Sequence, residues 1–341
     1  YPDCDLTSSL GNGECGAFDN VNFGLSNITT RYADDVLHGF GVRDYVWDFS
    51  AEVQHQITTG VSVNTGYYHN WAGNFSVTDN LAWTPEDFSP YCVTAPSDPR
   101  LPCGGGYQVC GLYDVSPAKL GKVDNLVRRA SDFGNQSRVN DFVSATIQTR
   151  LASGFQMGGG VDTGRTVTDS CFVVDSPQAL LNCRVERPFA AQTQLKINAS
   201  YPVPGGFVVS GIFRNESALR TAAGGETLSI EANYAARNAE ILPTLGRNLA
   251  ACGTRVPCTQ TATVPLVPPY QLFEDRLNQL DLRLTKVFQV GQKRLQANFD
   301  LYNAFNVAPV TGVNTAYGSR WLLPSQILEG RMIQFSGNLA F

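Results

Sequence analysis

Two alternations run through this chain at once, one between neighbouring residues and one between successive connections, and together they leave few folds open. Within residues 45–57, Tyr45, Trp47, Phe49, Ala51 and Val53 fall on one side, and Asp48, Ser50, Glu52, Gln54 and Gln56 on the other. Side chains alternate across a strand with a period of two, so this is a half-apolar β-strand. A turn at Thr58-Thr59-Gly60 leads into a second such segment, 61–71, carrying Val61, Val63, Tyr67 and Trp71. The hairpin recurs at 139–151 with 155–164, at 191–201 with 207–214, and at 279–288 with 294–305, and a final strand occupies 331–341. In 207–214 the pattern slips, because Val208 and Ile212 land on the polar side. Connections after the first, third, fifth and seventh strands are tight turns. Those after the second, fourth, sixth and eighth are long, covering about 72–138, 165–190, 215–278 and 306–330.

The pattern predicts an all-β chain, an antiparallel up-and-down meander of nine to ten strands. Tyr45, Trp47, Phe49, Val53, Leu195, Ile197, Leu282, Leu284, Phe299 and Leu301 should share one face of a continuous sheet. Alternation alone fits a soluble sandwich equally well, with the apolar face turned to a second sheet. Short turns at one end and long loops at the other favour an outer-membrane barrel type, whose strands of about ten residues cross the bilayer at a tilt. The aromatics Tyr45, Trp47, Tyr67, Trp71, Tyr201 and Phe288 then make an interfacial girdle, and Asp48, Glu52, Arg150, Asp162, Lys196, Arg283 and Asp300 face the lumen. Residues 1–42 read as a loop-rich N-terminal segment, and 43–341 as the barrel-type domain. Further strands around 21–29 and 228–234 are weaker possibilities.

Nine cysteines sit almost entirely in the long connections, in Gly/Pro/Asp-rich stretches. No close C-x-x-C pair exists to suggest zinc, so local disulfides in an oxidising compartment fit better. The expected pairs are Cys4 with Cys15, Cys92 with Cys110, Cys171 with Cys183, and Cys252 with Cys258, leaving Cys103 free. Each clip should stabilise the fold by about 2–4 kcal/mol. A net charge of -5 with 16% charged residues gives no basic footprint for nucleic acid. No apolar run is long enough for a membrane helix. His38, His55 and His69 are isolated in sequence, Gly158-Gly159-Gly160 opens no helix and reads as a bend or close packing, and no catalytic, metal or cofactor constellation emerges. The sequons at Asn27, Asn74 and Asn135 are of a number expected by chance.

The last seventy residues resemble a known family. Phe273-Glu274-Asp275-Arg276-Leu277-Asn278-Gln279-Leu280-Asp281-Leu282-Arg283 and Asp300-Leu301-Tyr302-Asn303-Ala304-Phe305-Asn306 look like the penultimate hairpin of TonB-dependent outer-membrane receptors. Tyr317-Gly318, Trp321, Pro324, Ile327-Leu328, Gly330-Arg331 and the terminal Phe341 continue the likeness. It points to the large receptors of Acidobacteria and similar soil bacteria, which often carry a carboxypeptidase-regulatory-like domain. The resemblance implies a non-enzymatic transporter barrel in the bacterial outer membrane, with Phe341 as the terminal aromatic that barrel-assembly machinery reads. Family barrels have a plug, a TonB box and twenty-two strands, so this chain is expected to be the C-terminal part of one. The expected partners are outer-membrane lipid or other copies of the chain. The alternative is a self-assembling extracellular or cell-surface structural protein, a fibre, tube or oligomeric barrel, whose open strand edges recruit further copies.

Overall fold

A computed structural model describes residues 3–5, 7–18, 30–219, 229–291 and 293–340. Nine long strands form one antiparallel sheet in strict sequence order. They are β1 (Tyr45–Thr58), β2 (Val61–Gly73), β3 (Ser137–Arg150), β4 (Gln156–Asp169), β5 (Gln194–Val203), β6 (Phe207–Ser217), β7 (Arg276–Val290), β8 (Lys293–Tyr302) and β9 (Met332–Ala340). A tenth, Arg184–Arg187, pairs with the end of β4. Of the candidate at 228–234, residues 229–232 form no strand and 228 lies outside the described residues; a strand at Asn233–Arg237 overlaps its end and pairs with Thr261–Pro265 outside the main sheet. The candidate at 21–29, like Phe341, lies outside the described residues. β3 and β4 run a few residues beyond the alternating stripes, because strand pairing outlasts the apolar pattern at their loop ends.

The register places every stripe residue on a definite face. One row crosses the sheet through Val61, Thr149, Met157, Ala199, Gly211, Leu282, Leu301 and Ile333. The neighbouring row of opposite facing runs through Arg150, Gln156, Ser200, Ser210, Arg283, Asp300 and Gln334. Ile212 stands opposite Asn198 and Asp281, on the polar face, as the slipped alternation of that strand required. The tight turns depend on glycine where chains approach closely. Gly60 has φ +82°, and a Cβ there would sit 2.1 Å from the Arg150 carbonyl oxygen of the adjoining turn. Gly159 and Gly160 press on the β5 and β3 backbones, where a Cβ would approach Lys196 O and Ala145 O to 2.4 Å. The triple glycine is therefore a close-packing device in a coiled strand.

The dry core lies outside the sheet. Trp321, Leu112, Ile241, Leu266, Val264 and Cys252 are the largest fully buried side chains, and all belong to the long connections. The hairpin of Phe88–Thr94 with Gln108–Val115 packs there with the Asn233–Arg237 hairpin and the helix Asn238–Leu245. The three long connections carrying 88–115, 230–267 and 313–322 thus converge into one cap with its own core. The sheet's apolar face is instead bare. Phe49, Val53, Val143, Leu284, Phe335 and Leu339 are all exposed.

Candidate functional site

The concave polar face is the first candidate. The predicted lumen residues share it by register, with Asp48 opposite Asn70, Glu52 opposite Gly66, Asp162 opposite Ser144 and Lys196 opposite Arg214. Many of its charges are matched in place. Arg283 Nε donates to Asp300 Oδ1 at 2.5 Å, and Lys196 Nζ lies 3.6 Å from Glu216 Oε2. Asp300 is only 3% exposed, so this pair fixes the β7–β8 hairpin from inside the curve. Neutral groups complete the wall. Thr285 Oγ1 donates to Asn298 Oδ1 at 2.9 Å, and Asn298 Nδ2 to Ser336 Oγ at 3.1 Å. Towards the tight turns the face opens into a trough of about 950 Å³, lined by Gln54, Gln56, Ser62, Gln148, Arg150, Asn198 and Ser200 among others.

The second candidate is the cap. Arg100 grips Asp98 through Nε and Nη2 at 3.0 and 2.7 Å, and its guanidinium stacks over the Trp321 ring at 5.3 Å. Tyr317 donates its hydroxyl to Asp98 at 2.9 Å, and Trp321 Nε1 donates to Glu231 O at 2.8 Å. The Arg100 guanidinium and backbone N–H hold the Asp98 carboxyl well below the usual carboxylate range. Burial and the Asp98 bond push the Tyr317 phenol up to about 12. Arg247 ties a second seam, donating to Asp114 Oδ2 at 2.5 Å and to the carbonyls of Asp114 and Val115 at 3.0 Å. Apart from the local Arg100–Asp98 pair, these interactions join segments 90 or more residues apart, and they make the long connections one body.

The Asp300–Asn306 stretch has a clear physical role. Asn303 adopts φ +50° at the end of β8, where asparagine tolerates the left-handed region. It is buried, and its Nδ2 donates to Val307 O at 2.7 Å and Glu329 O at 3.0 Å, while its Oδ1 accepts from Val307 N. Asn306, at φ +53°, accepts from Arg331 N at 3.0 Å. The two asparagines therefore close the base of the 303–331 connection.

The cysteines sit on the cap side. Cys4–Cys15, Cys92–Cys110, Cys171–Cys183 and Cys252–Cys258 are bridged, with Cα separations of 5.8, 4.2, 4.8 and 5.4 Å. Cys103 is exposed with a free thiol. His69 is not isolated, contrary to the sequence reading. Its Nδ1 lies 2.7 Å from Asp141 Oδ1, which also accepts from the Tyr67 hydroxyl at 2.9 Å. The partner stands 72 residues away in sequence, so only the register could reveal it. The cap core was likewise invisible to periodicity, because its strands are short and flanked by Pro and Gly. Trp321, a large apolar residue in a connection, was the one available signal. Among the described residues no group of three metal-ligating side chains occurs, and no helix is long and apolar enough to cross a membrane.

No protein-family model and no curated protein sequence matches the chain. Solved structures similar to it are outer-membrane proteins. The ferripyoverdine receptor of the outer membrane of Pseudomonas aeruginosa aligns with a TM-score of 0.41 and 13% identity, over 86% of this chain and 27% of the receptor. The outer membrane transporter YddB from Escherichia coli gives 0.40 and 9%, over 87% and 33%. The pyoverdine outer membrane receptor FpvA from Pseudomonas aeruginosa PAO1, bound to pyoverdine, gives 0.42 and 13%, over 87% and 30%. The chain spans about a third or less of the length of each.

Proposed function

We propose that this chain is a barrel segment of a TonB-dependent-receptor-like outer-membrane transporter, with its cap on the outer side of the membrane. One observation carries this reading. The sheet turns its polar face into a concavity and leaves its apolar face bare, which is the reverse of a soluble half-barrel. Water-soluble monomers rarely expose an apolar patch beyond a few hundred Å². Here exposed apolar side chains stand on eight of the nine strands, from Trp47 at 61% exposure to Phe335 at 77%. Lipid satisfies such a face. In this reading residues 1–42 are a loop-rich N-terminal segment, of which Gly11 meets the cap by accepting from Thr254 N and Oγ1 at 2.9 and 3.0 Å. Residues 43–341 form the barrel-type domain, located in the bacterial outer membrane, and no enzymatic role is assigned. The chain is expected to need detergent. Size-exclusion chromatography should show a monodisperse species only in micelles. A monodisperse species in plain buffer would contradict the lipid-facing stripe and favour self-assembly of apolar faces.

A further inference from the structure

Two aromatic rings interrupt the neutral wall of the concave face. Tyr68 of β2 and Phe142 of β3 are direct cross-strand partners on the polar side. Each lies flat on a glycine. A Cβ on Gly66 would come within 2.6 to 2.8 Å of the Tyr68 ring and hydroxyl, and one on Gly164 within 2.4 Å of Phe142 Cδ1. Both glycines are buried while both rings are half-buried, so each ring rests one face on backbone and keeps surface towards the concavity. Amides and hydroxyls continue the column in both directions. On the cap side, Asn140 donates to Asn70 and Thr166 Oγ1 donates to Asn140 Oδ1 at 2.6 Å. On the turn side, the register gives Asn64 with Thr146 and Ser62 with Gln148, which lead into the trough. Six residues from Tyr68 to Ser62 span about 20 Å, at roughly 3.4 Å per residue.

We propose that this column binds neutral carbohydrate, an oligosaccharide lying along β2 and β3 with a sugar ring stacked on Tyr68 and Phe142. The assignment rests on the transporter reading above and names its solute class. A pyranose has a face of C–H bonds and a rim of hydroxyls. The negative face of an aromatic ring attracts the polarised C–H bonds. Hydroxyls need partners that both donate and accept, which Asn, Gln, Ser and Thr side chains supply. Several charges of this face are met within it, while Asp48 and Asp162 have no ion-pair partner among the described residues. Arg283 pairs with Asp300, Lys196 with Glu216, and Glu52 accepts from the Tyr68 hydroxyl at 2.9 Å and from Asn64 Nδ2 at 3.2 Å. Among the described residues Arg150 is the charged residue that lines the trough, which offers a polyanionic solute a single cation there.

The test uses the full chain in a detergent without a sugar headgroup, titrated calorimetrically with maltohexaose, cellohexaose and an oligogalacturonate. At least one neutral hexasaccharide should bind, and more tightly than the polyanion. Tyr68→Ala and Phe142→Ala should each weaken that binding about tenfold. Gly66→Ala displaces the Tyr68 ring without deleting it and should weaken binding as well, which guards against misfolding of the larger truncations. Val143→Ala, on the opposite face, should leave affinity unchanged. Absence of binding by both neutral sugars, tighter binding of the polyanion, or normal binding by well-folded Gly66→Ala and Phe142→Ala would overturn the assignment. Detergent dependence, read on the same samples, reports on the transporter reading separately.

Discussion

Asp98 joins two segments of the cap, its own with Arg100 beside it and the one carrying Tyr317 and Trp321 some 220 residues away in sequence. Its carboxyl is held below the usual range in the folded state, first by the Arg100 guanidinium. A carboxylate depressed by folding stabilises the fold above its unfolded pKa of about 3.9, and that contribution is lost as pH falls through the lower folded value. The cap should therefore lose stability below about pH 4. Asp98→Asn should unfold at lower denaturant than the parent at pH 7 and show a flatter decline between pH 5 and pH 2. An unchanged acid limb in the variant would show that Asp98 does not link the cap to pH. At this scale the sequence was an uneven guide. The facing of Asp300 and Arg283 followed from counting by twos, and their ion pair followed from the register. The grip of Arg100 on Trp321 and the His69–Asp141 contact are set by tertiary approach, which local pattern does not encode.

The strands were legible because each has one face that must differ from the other, and a one-residue slip would exchange the two. All nine alternating segments are strands of the sheet, in the order read from the chain. The cap was not legible because its strands are only four to eight residues long and its core comes from several connections at once. Trp321 is 1% exposed and lies at the meeting point of Tyr317, Arg100 and the Glu231 carbonyl. Trp321→Ala should destabilise the cap by about 3–5 kcal/mol, through lost burial and the cavity left behind. Hydrogen exchange would locate the effect, with faster exchange at Tyr107, Leu112 and Leu266 and little change in β7 and β8. Uniform acceleration across the sheet would show that cap and sheet do not unfold as separate units.

The whole molecule inverts the arrangement of a soluble β-protein. Its dry core is in the connections, its sheet is polar within the curve, and its apolar residues face outward across nine strands. β1 and β9 each pair on one side only among the described residues, so the sheet is open in this chain. In lipid such edges require further strands, because unpaired backbone groups have no water to bond. The most direct test of the central claim reads the two faces of an interior strand. With Cys103 replaced by serine, single cysteines at Val143, Ala145 and Ile147 and at Thr146 and Gln148 of β3 would carry a spin label in detergent or bilayers. Labels at 143, 145 and 147 should be reached by oxygen dissolved in the apolar phase. Those at 146 and 148 should be reached by a water-soluble nickel reagent. The opposite phase, or water-soluble access on both faces, would contradict a lipid-facing sheet.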